Sequence, residues 1–328
     1  MPNPTPRDLH VDAVLTNMSV GYVQSQDKFF ADKLFPTVQV MKQTDLYTVW
    51  PKGAFFRDQV KARPLGGAVP IVGFDTGTAS YVCTEYGLGT MIDDRTRANA
   101  DKPFNPDKAS MRLLVGQHLI KRDRIAATTY LKTGVWGTDI VGVNSGPNAG
   151  QFLRFDQSGS DPIGVISKYK DRVAEQTGYE PNTLTLGRAT KRVLKQHPDI
   201  IGKIQYTQKG IITDELLAEL FEVERILTPS AIYNTAKEGA TDNLTFIVDS
   251  KCMLLSYAAK EPAMEEPSGG YTFAWTGLLP GATADWGGVI ERGREERHHS
   301  DYIEARAAYD IKLVCPDVGV FFSDVVSG

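Results

Sequence analysis

Residues 45–92 read DLYTVWPKGAFFRDQVKARPLGGAVPIVGFDTGTASYVCTEYGLGTMI, and the folding of this stretch decides the architecture. Asp45 to Trp50 is strand-like, and a second strand-like run returns from Ser80 to Ile92. Between them lie Lys52, Arg57, Lys61 and Arg63 among Pro64, Gly66, Gly67 and Pro70, too polar and too often interrupted to be core, yet Phe55 stands beside Phe56. Connections inside a compact domain usually run to about 4–6 residues. A span this long is therefore read as functional: a very long hairpin with a polar tip.

Within it, Asp75-Thr76-Gly77-Thr78-Ala79-Ser80 looks like the active-site loop of an aspartic protease. That chemistry needs two carboxylates sharing one proton, because two like charges side by side cannot both ionise. A second copy is the difficulty. Asp249-Ser250-Lys251 puts a lysine where the tight loop needs glycine, whose missing Cβ lets the backbone turn sharply. A homodimeric protease supplying one aspartate per chain suits chains of roughly one hundred residues and leaves most of this one unexplained. The alternative is a hairpin connection rich in Gly, Thr and Ser leading into a strand.

The 328-residue chain is long enough for one large or two moderate domains, and its 41% hydrophobic and 23% charged content is that of an ordinary soluble globular protein. A net charge of −4 and a pI near 5.8 provide no broad basic surface of the kind that grips nucleic acid, so any DNA contact is expected to be local and weak. Cys83, Cys252 and Cys315 lie far apart with no paired spacing, which signals neither a disulfide framework nor a zinc knuckle and fits a reducing compartment. No run approaches the roughly eighteen uninterrupted apolar residues of a membrane span, and the first residues lack the apolar stretch of an export signal.

Outward from the hairpin, residues 1–44 carry short apolar pieces broken at Pro36 and read as an arm that packs on something else. Asn105-Pro106-Asp107 is a helix start: Asn caps free N–H groups, Pro suits the first turn and the acid suits the dipole. Met111, Leu114, Val115, Leu119, Ile125 and Tyr130 then recur at helical spacing until Gly134, giving a spine of about 40 Å at 1.5 Å per residue. A second helix is expected from Asp161-Pro162 to Gly178, after a glycine-rich stretch with no phosphate-loop spacing. From Asn182 to Tyr257 strands and short helices alternate as a compact α/β module, whose first helix, Arg188 to His197, is basic and reads as a solvated face.

Near the end, His298, His299, Asp301 and Glu304 resemble a metal cluster. The periodicity opposes it: Ile303, Ala305, Ala307, Tyr309, Ile311 and Leu313 alternate with polar neighbours as in a half-buried strand. Adjacent histidines then point to opposite faces, and His298 lies about 20 Å from Glu304 at 3.3 Å per residue. His10, His118 and His197 lie far apart without a nucleophile motif. No catalytic, cofactor-binding or metal-ligating set emerges from these residues.

The order of arm, long loop, spine helix, α/β module and return strand resembles the major capsid proteins of tailed bacteriophages, the Hong Kong 97 type shell fold shared with encapsulins. The resemblance spans essentially the whole chain and is carried most specifically by FFADKLFPTVQVMKQTDLYTVWPKGAFFRD (29–58), IDDRTRANAD (92–101), TGVWGTD (133–139) and NTAKEG (234–239). It implies an α+β fold with an N-terminal arm at 1–44, an extended loop at 45–92, a peripheral domain with the spine helix at 93–181, an axial domain at 182–265 and a return to the peripheral domain at 266–328.

It further implies a structural protein without enzymatic activity or cofactor, assembling with itself into pentamers and hexamers of an icosahedral virion shell. Its expected partners are a scaffolding protein, a portal, a decoration protein and weakly touched double-stranded DNA, without a membrane. Folded-looking sequence starts near Leu9 behind Met1, so scaffolding is expected from a separate protein. Trp50, Lys52, Phe55, Phe56, Arg57, Lys61 and Arg63 are the expected subunit contacts of the loop. Some relatives join a loop lysine to an asparagine near a neighbour's end; here Lys52 and Lys61 supply donors, but the last asparagine is Asn243, so non-covalent particles are expected. An encapsulin-type compartment and a hydrolase using Asp75 are the alternatives.

Overall fold

The computed structural model describes residues 24–49, 52–63, 65–73, 75–100, 105–204, 212–261, 266–278 and 288–327. Most of the arm and Trp50 therefore lie outside the described residues.

The chain enters through a 3-10 turn at Gln26–Lys28, the short helix α1 (Ala31–Leu34) and strand β1 (Thr37–Val40). Strand β2 (Thr44–Val49), helix α2 (Lys52–Phe55), strands β3 (Gly77–Val82) and β4 (Thr84–Asp93) and helix α3 (Asp94–Ala98) form the loop region. The spine helix α4 (Pro106–Tyr130) leads to β5 (Thr138–Val143), β6 (Gln151–Leu153) and α5 (Pro162–Thr177). The α/β module follows as β7 (Thr183–Leu186), α6 (Arg188–Gln196), α7 (Pro198–Ile204), α8 (Asp214–Leu220), β8 (Arg225–Leu227), the hairpin β9 (Ile232–Asn234) and β10 (Leu244–Phe246), and β11 (Met253–Ser256). The chain closes with β12 (Gly270–Trp275), β13 (Gly288–Glu295), β14 (Ser300–Leu313) and β15 (Gly319–Ser323).

Local chemistry explains the helix ends. The Asn105 side chain accepts from Lys108 N at 3.2 Å, with Pro106 in the first turn, which satisfies one of the donors a helix start leaves free. Helix α5 is capped by Asp161 and stopped at Gly178, where φ of 74° is left-handed and glycine carries no Cβ penalty. Along α4 the buried stripe is Leu114, His118, Leu119, Arg122, Asp123, Ala126, Ala127 and Tyr130. Two of the polar members have clear partners: His118 Nε2 meets Ala305 O at 2.9 Å, and Asp123 is bonded to α1.

Strand β14 organises one sheet. Along one edge it pairs with β13 (Ser300–Ala307) and then β12 (Tyr309–Leu313), and along the other with β4 (Ser300–Tyr309); β1 pairs with β12. The second sheet runs β6-β5-β15-β11-β7-β8. Its central strands bury both faces, as period-2 alternation requires. Met253, Leu255, Val320 and Phe322 face α5–α8, while Leu254 and Phe321 face the spine helix, Phe35 and Ile311. The two sheets thus share one continuous interior.

Two features differ from a reading in chain order. The expected single strand from Ser80 to Ile92 breaks at Cys83. There the N–H donates to Gln43 O at 2.9 Å and the buried thiol to Phe273 O at 3.4 Å, so that β3 pairs with β2 and β4 passes to β14. The segment after residue 265 does not return as one piece: β12–β14 join the first sheet, whereas β15 lies between β5 and β11 in the second.

Candidate functional site

The ribbon β2–β3 pairs from Thr44↔Val82 to Val49↔Gly77 and stands as a sheet of its own. One face is moored to the body: Tyr47 and Tyr81 stack on Phe273, with centroids 5.6 and 4.6 Å away. The other presents Leu46 and Val82 to solvent, 65% and 51% exposed. Beyond the ribbon, Phe55, Phe56, Val60, Leu65, Val69, Ile71 and Val72 are all exposed, Ile71 at 98%. Isolated exposed apolar residues are ordinary; here seven of them fall within residues 55–72.

At the foot of this projection Lys52 Nζ pairs with Asp317 Oδ2, and the Phe56 ring lies against Gly178, where a Cβ would touch it at 3.5 Å. Arg57 and Lys61 are exposed, and Arg63 donates Nε–H to Gly67 O at 2.6 Å. Of the sequence-expected contact residues, Lys52 and Phe56 are thus brought to the body, whereas Arg57, Lys61 and Arg63 lie out on the loop. The sequence reading overlooked Val60, Leu65, Val69, Ile71 and Val72. Their signal was apolar residues scattered through a stretch otherwise called polar.

Asp75 is exposed at the foot of β3, and Gly77 adopts no tight turn: a Cβ there would make only ordinary contact with Val49, at 3.6 Å. The site is a ribbon end rather than a proton-sharing loop. Asp301 is engaged by Arg97 and, at 3.1 Å, by Arg294, and Arg97 also holds Asp107 at 2.9 Å. Arg97 and Arg294 hold the Asp301 carboxyl below the usual carboxylate range. Among the described residues no group of three or more His, Cys, Asp or Glu is placed to hold a metal ion.

Folding also brings together a pair that sequence spacing hid. Ser160 Oγ lies 3.0 Å from His197 Nε2, both buried. His197 Nδ1 accepts the Asp199 N–H at 3.3 Å, which leaves the ring proton on Nε2, donated to Ser160; the hydroxyl in turn donates to Gln157 O at 2.8 Å. A histidine that gives its proton to the serine cannot act as that serine's base, so this is a structural strut. No described helix is long and apolar enough to cross a membrane.

No family model matches the chain. In sequence it is 29% identical over 265 residues to the major capsid protein of Burkholderia phage BcepMu, covering 80% of this chain and 82% of that one. To the major capsid protein of Pseudomonas phage JBD67 it is 23% identical over 319 residues, 97% of each chain. A phage-related protein from Bordetella bronchiseptica superposes with a TM-score of 0.68 at 21% identity over 92% of this chain and 94% of that one. The capsid of cyanophage P-SCSP1u gives 0.59 at 10% identity over 98% and 95%. An encapsulin from Synechococcus elongatus gives 0.51 at 11% identity over 97% and 98%. Covered over nearly its whole length by phage capsid structures, the chain has the Hong Kong 97 type capsid fold, and the two proteins it resembles in sequence are major capsid proteins of phages.

Proposed function

We propose that this chain is the subunit of an icosahedral shell that encloses the double-stranded DNA of a tailed phage, assembled from pentamers and hexamers in the host cytoplasm. The observation that carries the reading is the set of exposed apolar residues from Phe55 to Val72, in the loop beyond the β2–β3 ribbon. Burying such side chains contributes about 25 cal/mol per Å², and identical subunits around symmetry axes offer one another the same surface repeatedly. In this reading the first sheet with the spine helix is the peripheral domain, the β7–β11 module is the axial domain, and Trp50, Lys52, Phe55, Phe56, Arg57, Lys61 and Arg63 lie at or near subunit contacts. A scaffolding protein, a portal and a decoration protein are the expected helpers.

The encapsulin likeness supports a second reading, a compartment around a cargo protein; the two sequence relatives, both from phages, favour the virion. Electron microscopy of the expressed protein with and without its scaffold tests the proposal. Closed shells or capsomers are expected, and a strictly monomeric species at high concentration by light scattering overturns it. Shells that form without scaffold and retain a host protein instead of DNA favour the compartment.

A further inference from the structure

Helix α6 places Arg188, Lys191, Arg192 and Lys195 along one face, at the spacing of successive helical turns. Opposite them the folded arm brings Lys28 and Lys33, so that a groove of about 860 Å³ is lined by six cations against two acids, Asp27 and Asp214. This is a local inversion in a chain of net charge −4. Asp214 is used up inside the wall, held by Lys191 at 2.6 Å and Lys195 at 3.2 Å. The other four cations have no acidic partner within 4 Å among the described residues: Arg188 lies over the Phe246 ring at 4.7 Å, and Lys33 donates to the Asp27 backbone oxygen at 3.3 Å.

Resting on the shell reading above, we infer that this groove is the DNA-contact site of the subunit, taking the phosphate backbone of duplex DNA without reading its sequence. An acidic protein segment is the competing occupant, and the groove lacks what it would need. Peptide interfaces draw their energy from apolar anchors seated in pockets, but Phe29, Phe30 and Leu227 are already 3%, 1% and 8% exposed within this chain's own core. A phosphate backbone needs only positioned cations, whose binding is driven by the release of condensed counterions. A short row of cations in an otherwise acidic subunit gives a contact that is weak per subunit and summed over the shell.

Unassembled full-length protein titrated with a fluorescein-labelled duplex of mixed sequence, followed by anisotropy across a salt series, tests this. The wild type should bind and weaken with salt. Lys28→Glu combined with Arg192→Glu should weaken binding at least about tenfold and lower the salt slope by roughly 2, about 0.9 for each phosphate that is no longer neutralised. Lys132→Glu with Lys237→Glu, both exposed elsewhere, should change little. The milder Lys28→Gln with Arg192→Gln, checked by circular dichroism, covers the case in which charge reversal unfolds the protein. Equal loss in groove and control variants, or no binding by the wild type, overturns the inference, as does displacement of the duplex by oligoglutamate at lower concentration. Particle formation is scored separately by microscopy: shells from a groove variant that has lost DNA affinity support the site, whereas failure of the wild type to assemble strikes the shell reading instead.

Discussion

Asp123, buried in the spine helix, accepts the backbone N–H of Phe30 at 3.1 Å and, through its other oxygen, that of Ala31 at 3.0 Å. It caps helix α1 from 92 residues away along the chain, doing for a helix start what a local Asp or Ser ordinarily does. The contact pins the arm segment, with Phe30, Leu34 and Phe35, onto the spine and the second sheet.

Asp123→Ala should therefore be among the most damaging single changes. It leaves two buried N–H groups without acceptors, at about 1–3 kcal/mol each. The expected outcome is a urea midpoint lowered by an amount corresponding to roughly 2–5 kcal/mol. A midpoint unchanged from the wild type would sink the remote-cap assignment.

The same carboxyl makes stability depend on pH. Burial pushes Asp123 up to about 7, against the opposing pull of the Ala31 and Phe30 N–H groups and the neighbouring Arg122. Between about pH 4, where an unfolded aspartate loses its proton, and about 7, the native state holds a proton that the unfolded chain has released. The group's contribution is thus complete at acid pH and declines as pH rises towards about 7, by up to roughly 1.4 kcal/mol per unit. His118, whose pKa burial lowers, acts in the opposite sense, losing stability as pH falls. Comparing wild type with Asp123→Asn isolates the aspartate: the variant's denaturation should lack this decline, and identical pH profiles would count against it.

The loop phenylalanines should matter to particles and little to the chain. Phe55 and Phe56 are 56% and 62% exposed, so replacing both by alanine removes little core packing. Assembled shells of the double variant should melt at lower temperature than wild type, while unassembled protein gives an unchanged circular dichroism melt. Equal shell melting would remove these residues from the interface.

Covalent joining through the loop lysine is not expected. Lys52 is engaged with the Asp317 carboxylate of its own chain, and neither it nor Lys61 has an asparagine near the chain's end to attack, the last being Asn243; a carboxylate in that place has no leaving group comparable to an amide's ammonia. Boiled, reduced particles should run as one band near 36.1 kDa; a ladder of multiples would show the expectation wrong.

What the sequence determined by itself was local. Asn105-Pro106 and Asp161-Pro162 start helices because capping is settled within a few residues, and the alternation from Ile303 to Ile311 announced β14 because period two is a property of the strand alone. The ribbon, the spine and the α/β module were legible for the same reason, and their order carried the resemblance to shell proteins. Partner choice was left to the tertiary structure. Nothing near Cys83 says that the strand must change sheets there, since the reason is a bond to Gln43 and burial beneath Phe273. Nothing near Gly319 says that β15 leaves the sheet of β14 to lie between β5 and β11. Helix α6 read as a solvated face until folding set Lys28 and Lys33 across from it, and nothing around Asp123 distinguishes it from any other helix acid until α1 arrives to be capped. Charge and hydrogen-bonding potential are written residue by residue, but their energies depend on distance and burial, which exist only once remote segments have met.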